Sequence, residues 1–237
     1  MDSPIEPAPA LLSLHAVTKT YGEGAALVRA LISVDLDIAA GEFVAITGPS
    51  GSGKTTVMSI LGCLEVPTDG EYRIEGMLVQ NLDADVLAAL RNERLGFVFQ
   101  QFNLLARTSA LENVSMPLVY AGVRRRERAV RARDALGAVG LAGREGARPN
   151  QLSGGQQQRV AIARAIVNEP DVLLADEPTG NLDSAMGAEI MQLIARLNRE
   201  RGITVLMVTH DATCAAYAPR QVVFRDGRIV NDTRKAD

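Results

Sequence analysis

The feature that most constrains this fold is a glycine-rich loop between a strand pattern and a helix pattern. "EFVAIT" is apolar enough to form a buried strand, and "GPSGSGKTT" follows it directly at residues 48–56. Glycines allow such a loop to turn successive backbone N–H groups inward, where they bind phosphate oxygens. The lysine can reach the β- and γ-phosphates of a nucleotide, and the following threonine can place its hydroxyl on Mg²⁺. The loop therefore predicts a nucleotide-binding strand–loop–helix unit of an α/β protein.

The predicted phosphate-binding residues form one continuous run. They are Gly48, Pro49, Ser50, Gly51, Ser52, Gly53, Lys54, Thr55 and Thr56, and Thr55 is also a predicted Mg²⁺ ligand. A dinucleotide-binding fingerprint is excluded, because Thr56 stands where its third glycine would be. A chance glycine-rich turn is the other alternative, and the flanking strand and helix patterns argue against it.

The stretch "DVLLADEPTG" supplies acidic residues that match this loop. Its four apolar residues predict a buried strand, and Asp176 at the strand end is placed to hold Mg²⁺. Glu177 would then lie beside the γ-phosphate and act as general base toward the attacking water. An Asp–Glu pair can also merely begin a surface turn before Pro178. The strand and the phosphate loop together favour the catalytic interpretation.

A second anion-binding pattern occurs in "LSGGQQQRVAIARA", residues 152–165. Its serine and two glycines begin a helical pattern, where free backbone N–H groups and the helix dipole attract anions. One γ-phosphate needs only one such cradle within a chain. The second pattern therefore raises the question of which phosphate it binds.

Strand patterns alternate with helical patterns along most of the chain. The strand patterns are "LLSLHAV", "VRALISVDLDI", "EFVAIT", "LGFVF", "DVLLA", "TVLMVT" and "RQVVFRDGRIV". Helical spacing of apolar residues is shown by Val57, Ile60, Leu61 and Leu64, and by Ile190, Leu193, Ile194 and Leu197. This alternation predicts a mainly parallel sheet covered by helices. The segment from Gln101 to Gly154 lacks a strand pattern and predicts a helical insertion.

Composition excludes several classes of protein. A net charge of −3 argues against an electrostatically driven nucleic-acid binder. No apolar run approaches the roughly 18–20 residues that a membrane span requires, and the first residues do not resemble a signal peptide. Cys63 and Cys214 have no partners at metal-binding spacing. We therefore expect both cysteines to be packing residues of a protein in a reducing cytoplasm. We expect a chain that stays in the cytosol unless a partner holds it at a membrane.

The three motifs, in this order and spacing, resemble the nucleotide-binding subunit of an ABC transporter, and the resemblance covers residues 11–231. It implies a RecA-like P-loop NTPase core with a small antiparallel β subdomain and an inserted α-helical subdomain. The predicted division is a disordered tail at residues 1–10 and one ATPase domain at 11–237. Core and β subdomain would occupy 11–100 and 159–237, and the helical subdomain about 101–158.

The resemblance also implies roles for further residues, with ATP and Mg²⁺ as ligands. Tyr21 matches the aromatic residue that stacks on adenine, although a half-buried strand-end tyrosine is the alternative. Gln100 matches the glutamine that contacts Mg²⁺ and the attacking water and senses the membrane partner. His210 matches the histidine at the γ-phosphate, and Asp183 the aspartate that lies across a dimer interface. The predicted catalytic set is Glu177, His210 and Gln100, with Thr55, Gln100 and Asp176 as the Mg²⁺ ligands.

In the family that this sequence resembles, two subunits pack head to tail. The signature motif of one, here Ser153, Gly154, Gly155 and Gln156, covers the nucleotide on the phosphate loop of the other. The resemblance thus implies an ATP-sandwich dimer that works with integral membrane permease subunits and without nucleic acid. The chain would then lie at the inner face of the cell membrane. Phe102, Leu104 and Leu105 are candidate residues for docking the permease, or else core of the helical insertion.

Four further stretches, "PTDGEYRIEG", "LRNERLGFVFQQFNLL", "ALENVSMPL" and "VLMVTHD", resemble the branch of macrolide-export, lipoprotein-release and cell-division ATPases. Export, lipoprotein release and mechanotransmission are the corresponding predicted functions. The permease would be a separate polypeptide, unless the sequence is part of a longer chain. A chromosome-maintenance or repair ATPase acting on DNA is the alternative function. It would need long heptad-patterned arms between phosphate loop and signature, and about a hundred residues leave no room for them. A two-copy translation factor and a small-molecule kinase fit less well.

Overall fold

The structure is a computed structural model that describes residues 10–234. Its strands, in chain order, are β1 (Ala10–Tyr21), β2 (Val28–Ala39), β3 (Phe43–Thr47), β4 (Asp69–Ile74), β5 (Met77–Leu78), β6 (Leu95–Phe99), β7 (Val172–Asp176), β8 (Thr204–Val208), β9 (Arg220–Arg225) and β10 (Arg228–Arg234). Its helices are α1 (Lys54–Leu61), α2 (Ala84–Glu93), α3 (Ala110–Tyr120), α4 (Arg125–Ala138), α5 (Gly154–Ile166), α6 (Ser184–Arg201) and α7 (Ala212–Ala215). Ala10 already belongs to β1, and the rest of the predicted tail lies outside the described residues.

Two sheets organise these elements. The larger has the order β10-β9-β3-β8-β7-β6 and is parallel except for the β9–β10 hairpin. The smaller is antiparallel, with the order β2-β1-β4-β5. The central strands β3, β7 and β8 are buried almost throughout, as expected for parallel strands covered on both faces.

The hydrophobic core lies on the two faces of the larger sheet. On one face, Ala45 and Met207 belong to a cluster that also includes apolar residues of α3 to α6. On the other face, Val44 and Leu206 belong to a cluster shared with α1 and the antiparallel sheet. Since side chains alternate along a strand, one strand serves both clusters.

Strand register places one row of residues at the edge of the larger sheet. Ile46 pairs with Val208, Val208 with Asp176, and Asp176 with Phe99, across four adjacent strands. The next residue of each chain segment leaves the same carboxyl edge. These residues are Thr47, Thr209, Glu177 and Gln100. Ligands of parallel α/β sheets bind at this kind of edge.

The helical insertion has the predicted character, and residues 101–153 form no strand. α3 begins with a capping box in which Ser109 and Glu112 satisfy each other's backbone N–H groups. The proposed boundary at residue 158 falls within α5, so one continuous helix joins the insertion to the core. Among residues 10–234, no helix is both long and apolar enough to cross a bilayer.

One local feature was missed and one local prediction was wrong. β4 and β5 had no predicted counterpart, because the polar sequence of β4 resembles a loop and its strand state depends on pairing with β1. Leu64 was expected on the buried face of the first helix, but its side chain is 54% exposed. α1 ends at Leu61, and the chain turns at Gly62 before it reaches Leu64.

Gly96→Ala is expected to lower the free energy of unfolding by about 1–3 kcal/mol, because overpacking against backbone is hard to relieve. A Cβ on Gly96 of β6 would overlap the carbonyl of Ala165 on α5. Gly137→Ala on α4 is the matched control, since its Cβ meets no atom within 4 Å. The control is expected to stabilise by about 0.5–1 kcal/mol. Equilibrium urea unfolding measures both, and equal effects would contradict this packing.

Candidate active site

The glycine-rich loop joins β3 to α1 and is already shaped by its neighbours. Gly53 has φ 103°, and a Cβ there would lie 2.6 Å from the carbonyl oxygen of Ala30 on β2. Only glycine fits this left-handed position without moving β2. The carbonyl of Ser52 accepts a hydrogen bond from the N–H of Gly227, in the turn between β9 and β10. The loop is therefore held from two sides.

Lys54 is a buried cation without a carboxylate partner. Its side chain is 9% exposed, and Nζ donates to the carbonyl oxygens of Gly48 and Pro49, both at 2.8 Å. No ion pair within residues 10–234 includes it, whereas the similarly buried Arg220 pairs with Glu42 and Asp232.

A buried cation that lacks a counter-charge is costly unless an anion binds beside it. The hydroxyl of Ser52 is also buried and has no hydrogen-bond partner among the described residues. A buried donor and an unpaired ammonium at one glycine-rich loop fit a phosphate ligand. The loop residues therefore suit the triphosphate that the sequence predicts.

Asp176 ends β7 beside this loop. Burial raises the pKa of its carboxyl, the charge of Glu177 raises it further, and the charge of Lys54 lowers it. Lys54 and Asp176 are thus close enough to influence each other. Carboxylate, hydroxyl and amide oxygens are the ligands that Mg²⁺ prefers, so Asp176, the exposed Thr55 and Gln100 suit this ion.

Glu177 and His210 form a pair at the carboxyl edge of the sheet. Oε1 of Glu177 lies 2.7 Å from Nδ1 of His210 and accepts the backbone N–H of His210 at 3.2 Å. This hydrogen bond and the charge of Glu177 raise the pKa of the exposed His210 imidazole. Glu177 itself has φ 48°, a conformation that a residue other than glycine keeps only when its surroundings enforce it. Two groups capable of proton transfer therefore lie side by side.

Gln100 lies against the turn that follows Glu177. Its carbonyl accepts a hydrogen bond of 2.8 Å from the side-chain amide of Asn181. A Cβ on Gly180 would lie 2.8 Å from Nε2 of Gln100, so the absence of a side chain at Gly180 lets the amide pack there. The structure thus brings Gln100 to the same loop as the predicted base.

Tyr21 lies near the first turn of α1. Its hydroxyl donates to Oε2 of Glu65 at 2.7 Å, and Nζ of Lys19 lies 5.2 Å from the ring centroid. Burial and the bond to Glu65 raise the pKa of Tyr21, and an interaction with Thr56 lowers it. The ring is partly exposed at the end of β1. Its stacking on adenine stays a prediction.

The signature motif lies at the start of α5. Ser153 caps α5 in a capping box with Gln156, and its side chain is exposed. Gly155 is buried, and a Cβ there would lie 3.0 Å from Sδ of Met186 on α6. Asp183 caps α6 by accepting the backbone N–H of Met186 at 2.9 Å.

The signature motif and Asp183 therefore lie in one region of the surface, and Met186 lies next to both. Within the described chain, no hydrogen bond or ion pair joins residues 153–156 to residues 48–56. The structure brings together the phosphate loop, Asp176, Glu177, His210 and Gln100. It does not bring the signature to them.

Comparison with known proteins identifies the family. A sequence profile described as "ABC transporter" matches residues 31–180, more than half of the chain. The chain belongs to the ABC transporter family. This confirms the resemblance inferred from the three motifs, all of which begin within the matched range.

Two similar members of the ABC transporter family are named for export. The macrolide export ATP-binding/permease protein MacB 1/2 of Paracoccus denitrificans is 54% identical over 224 residues, covering 94% of this chain and 33% of the relative. The pyoverdine export ATP-binding/permease protein PvdT of Pseudomonas fluorescens is 53% identical over 228 residues, covering 96% and 35%. The chain thus spans about a third of the length of these relatives.

Solved structures of ABC cassettes share the fold. A dimeric structure of MJ0796, a bacterial ABC transporter cassette, has a TM-score of 0.87 and 47% identity, covering 95% of this chain and 99% of that chain. A dimeric post-hydrolysis state of MJ0796 bound to ADP and Pi has a TM-score of 0.86 and 46% identity, with the same coverage. These comparisons and the two sheets confirm the predicted fold class.

Sequence reasoning missed two polar side chains on α5 of this ABC cassette, the half-buried Arg164 and the buried Gln158. Arg164 on α5 donates to the carbonyls of Asn103 at 2.6 Å and Phe102 at 3.1 Å, and so holds the segment after Gln100. Gln158 on α5 is fully buried and donates to the carbonyl of Pro178. The only sequence signal for Arg164 and Gln158 is a polar side chain on an apolar helical face. This signal does not indicate which group accepts the hydrogen bond.

Glu177→Gln is expected to lower the pKa of His210 toward its ordinary value of 6.5, because the hydrogen bond and charge of Glu177 are its main causes of elevation. In the wild type, the pair stabilises the fold below pH 6.5, and the contribution disappears as pH rises through the raised pKa. The contribution is small, since His210 is exposed. NMR titration of the nucleotide-free protein measures the shift. His15 on β1 serves as control, and an unmoved His210 curve would refute the pair.

Proposed function

We propose that this chain is the ATP-hydrolysing cassette of an export system and that it works as a head-to-tail dimer. The supporting observation is that no hydrogen bond or ion pair among residues 10–234 joins the two anion-binding motifs of the chain. Lys54 provides an unpaired cation at the phosphate loop, while the exposed Ser153 caps α5. A second copy would place its signature over the nucleotide on the first copy's loop. Each active site then needs both chains.

The chemistry of this proposal follows from the residues at the sheet edge. Lys54 leaves the carbonyls of Gly48 and Pro49 and pairs with the terminal phosphates. Thr55, Asp176 and Gln100 would hold Mg²⁺, which would neutralise the charge that develops on those phosphates. Glu177 accepts a proton from the attacking water on a carboxylate oxygen.

His210 completes the set at the sheet edge. It orients Glu177 through the contact between Nδ1 and Oε1 and would lie beside the terminal phosphate. Glu177 raises the pKa of His210, and a protonated imidazole would add positive charge beside that phosphate.

The proposed dimer is supported by the structures of MJ0796. That cassette is dimeric, and one of its structures contains ADP and Pi. At 46–47% identity over 99% of its length, its assembly is a sound guide for this chain. Ser153, Gly154, Gly155 and Gln156 would contact the γ-phosphate in the partner subunit. Asp183, which lies beside this motif through Met186, would lie at the interface.

Coupling to a membrane permease and location at the inner face of the membrane are parts of this proposal. The supporting observation is the similarity to ATP-binding/permease proteins named for macrolide and pyoverdine export. Candidate docking residues follow Gln100. Leu105 is 47% exposed and available to a permease, whereas Leu104 packs against the core of the helical insertion. Phe102 is half-buried, and Arg164 holds its carbonyl.

Glu177→Gln is expected to lower ATP turnover by about 100-fold or more, because the attacking water loses its base. The variant should still bind ATP and should accumulate as an ATP-bound dimer in size-exclusion chromatography with light scattering. Glu200→Gln, an exposed position near the end of α6, is the matched control and should keep wild-type turnover. Undiminished turnover in Glu177→Gln would contradict the role of Glu177 as base.

Ser153→Arg is expected to abolish ATP-induced dimerisation and leave ATP binding by the monomer within about threefold of wild type, a change below 1.4 kcal/mol. The physical reason is that a long cation would occupy the space of the partner's γ-phosphate. Light scattering and a fluorescent-nucleotide titration measure the two quantities. Ala88→Arg on the exposed face of α2 is the control. Loss of monomer binding in Ser153→Arg would show that the signature acts within its own chain.

A further inference from the structure

Gln158 connects the signature helix to the catalytic edge of the sheet. It lies on the second turn of α5, and its side chain is completely buried. Nε2 donates to the carbonyl oxygen of Pro178 at 2.6 Å and to that of Phe99 at 3.4 Å. Neither acceptor belongs to α5. The side chain therefore links three separate segments of the chain.

Both acceptors adjoin residues of the predicted catalytic set. Pro178 directly follows Glu177, and Phe99 directly precedes Gln100. The left-handed backbone of Glu177 is held by its N–H, which donates to Val208, and by its carbonyl, which accepts from Gly180. The bond from Gln158 to Pro178 is a third restraint on the same turn. Strained residues persist where several contacts restrain them together.

The neighbouring glutamines make only local contacts. Gln156 completes the capping box with Ser153, and Gln157 donates to the carbonyl of Leu152 just before the helix. Gln158 also retains a buried Oε1 that has no hydrogen-bond partner among the described residues. An apolar side chain of similar size would remove the cost of this unpaired acceptor, but it would also leave the carbonyl of Pro178 without its donor. Glutamine at this position therefore serves the bond to the turn after Glu177.

We propose that Gln158 is a positioning residue that couples the two ATP sites of the dimer. The proposal rests on the function proposed above, in which Ser153 contacts nucleotide bound to the partner subunit. α5 is a continuous helix of 13 residues, so a shift of its first turn moves Gln158 with it. Gln158 then moves the carbonyl of Pro178 and, through it, Glu177. Occupancy of one site thereby sets the position of the general base in the other site.

This coupling involves two distinct sites and a physical link between them, and it requires that α5 take up two positions. It predicts positive cooperativity of ATP hydrolysis in the wild-type protein. Without the link, the dimer still forms on ATP, because Ser153 and its capping box remain. ATP hydrolysis is then slower, and its rate no longer depends on whether the other site is occupied.

Gln158→Leu tests the proposal, with Gln157→Leu as the matched control on the same helix. For Gln158→Leu we expect kcat to fall at least tenfold, KM for ATP to stay within threefold, and the Hill coefficient to fall to 1. In the Glu177→Gln background, ATP-dependent dimerisation should persist. Gln157→Leu should match the wild type in all four measurements. Thermal unfolding reports whether each variant is folded, and Gln158→Met, an unbranched side chain of similar volume, replaces Gln158→Leu if that variant does not fold.

Three results would overturn the coupling. One is turnover within threefold of wild type with an unchanged Hill coefficient. Another is an equal loss of turnover in Gln157→Leu, which would indicate a general effect of apolar substitution on α5. The third is loss of ATP-dependent dimerisation in Gln158→Leu, since Gln158 would then only shape the signature. A wild-type chain that hydrolyses no ATP would instead refute the proposed function itself.

Discussion

The buried, unpaired ammonium of Lys54 is the constraint on which the rest of the site depends. Among residues 10–234, only two carbonyls of the glycine-rich loop accept hydrogen bonds from it, and no ion pair joins it to Asp176, whose pKa its charge lowers. A fold that keeps a cation in this state requires an anionic ligand to offset the cost of burial. The left-handed glycine at position 53 and the packing of the loop against β2 hold that cation in place. The affinity for phosphate is thus built into the loop before any ligand arrives.

Sheet register then decides which residues surround that ligand. Because Ile46, Val208, Asp176 and Phe99 are paired across adjacent strands, the residues that follow them emerge together at one edge. The backbone hydrogen bonds of the sheet thus bring Asp176, Glu177 and Gln100 together from distant parts of the sequence. No hydrogen bond or ion pair among residues 10–234 joins the signature motif to these residues. This observation underlies the proposed dimer, in which a second copy completes each site.

The buried hydrogen bond from Gln158 to the carbonyl of Pro178 joins the signature helix α5 to the turn after Glu177. In the proposed dimer, a contact across the interface changes catalysis only if it is linked to the catalytic residues. Within each subunit, Gln158 can supply this link, because a shift of α5 also moves the turn after Glu177. This link is a buried hydrogen bond between two polar groups. It is lost when either group is replaced by an apolar one.

The phosphate loop, the acidic strand end and the signature were determined by the sequence itself, because each is a contiguous motif that its own neighbouring residues make recognisable. The alternation of strands and helices also followed from local periodicity, and with it the α/β class. The pairing of β4 with β1, the exposure of Leu64 beyond the end of α1, the contact of Glu177 with His210 and the link from Gln158 to Pro178 were decided only by the tertiary structure. Each of these depends on which segments lie side by side in space, and residues distant in sequence carry no local signal of that proximity.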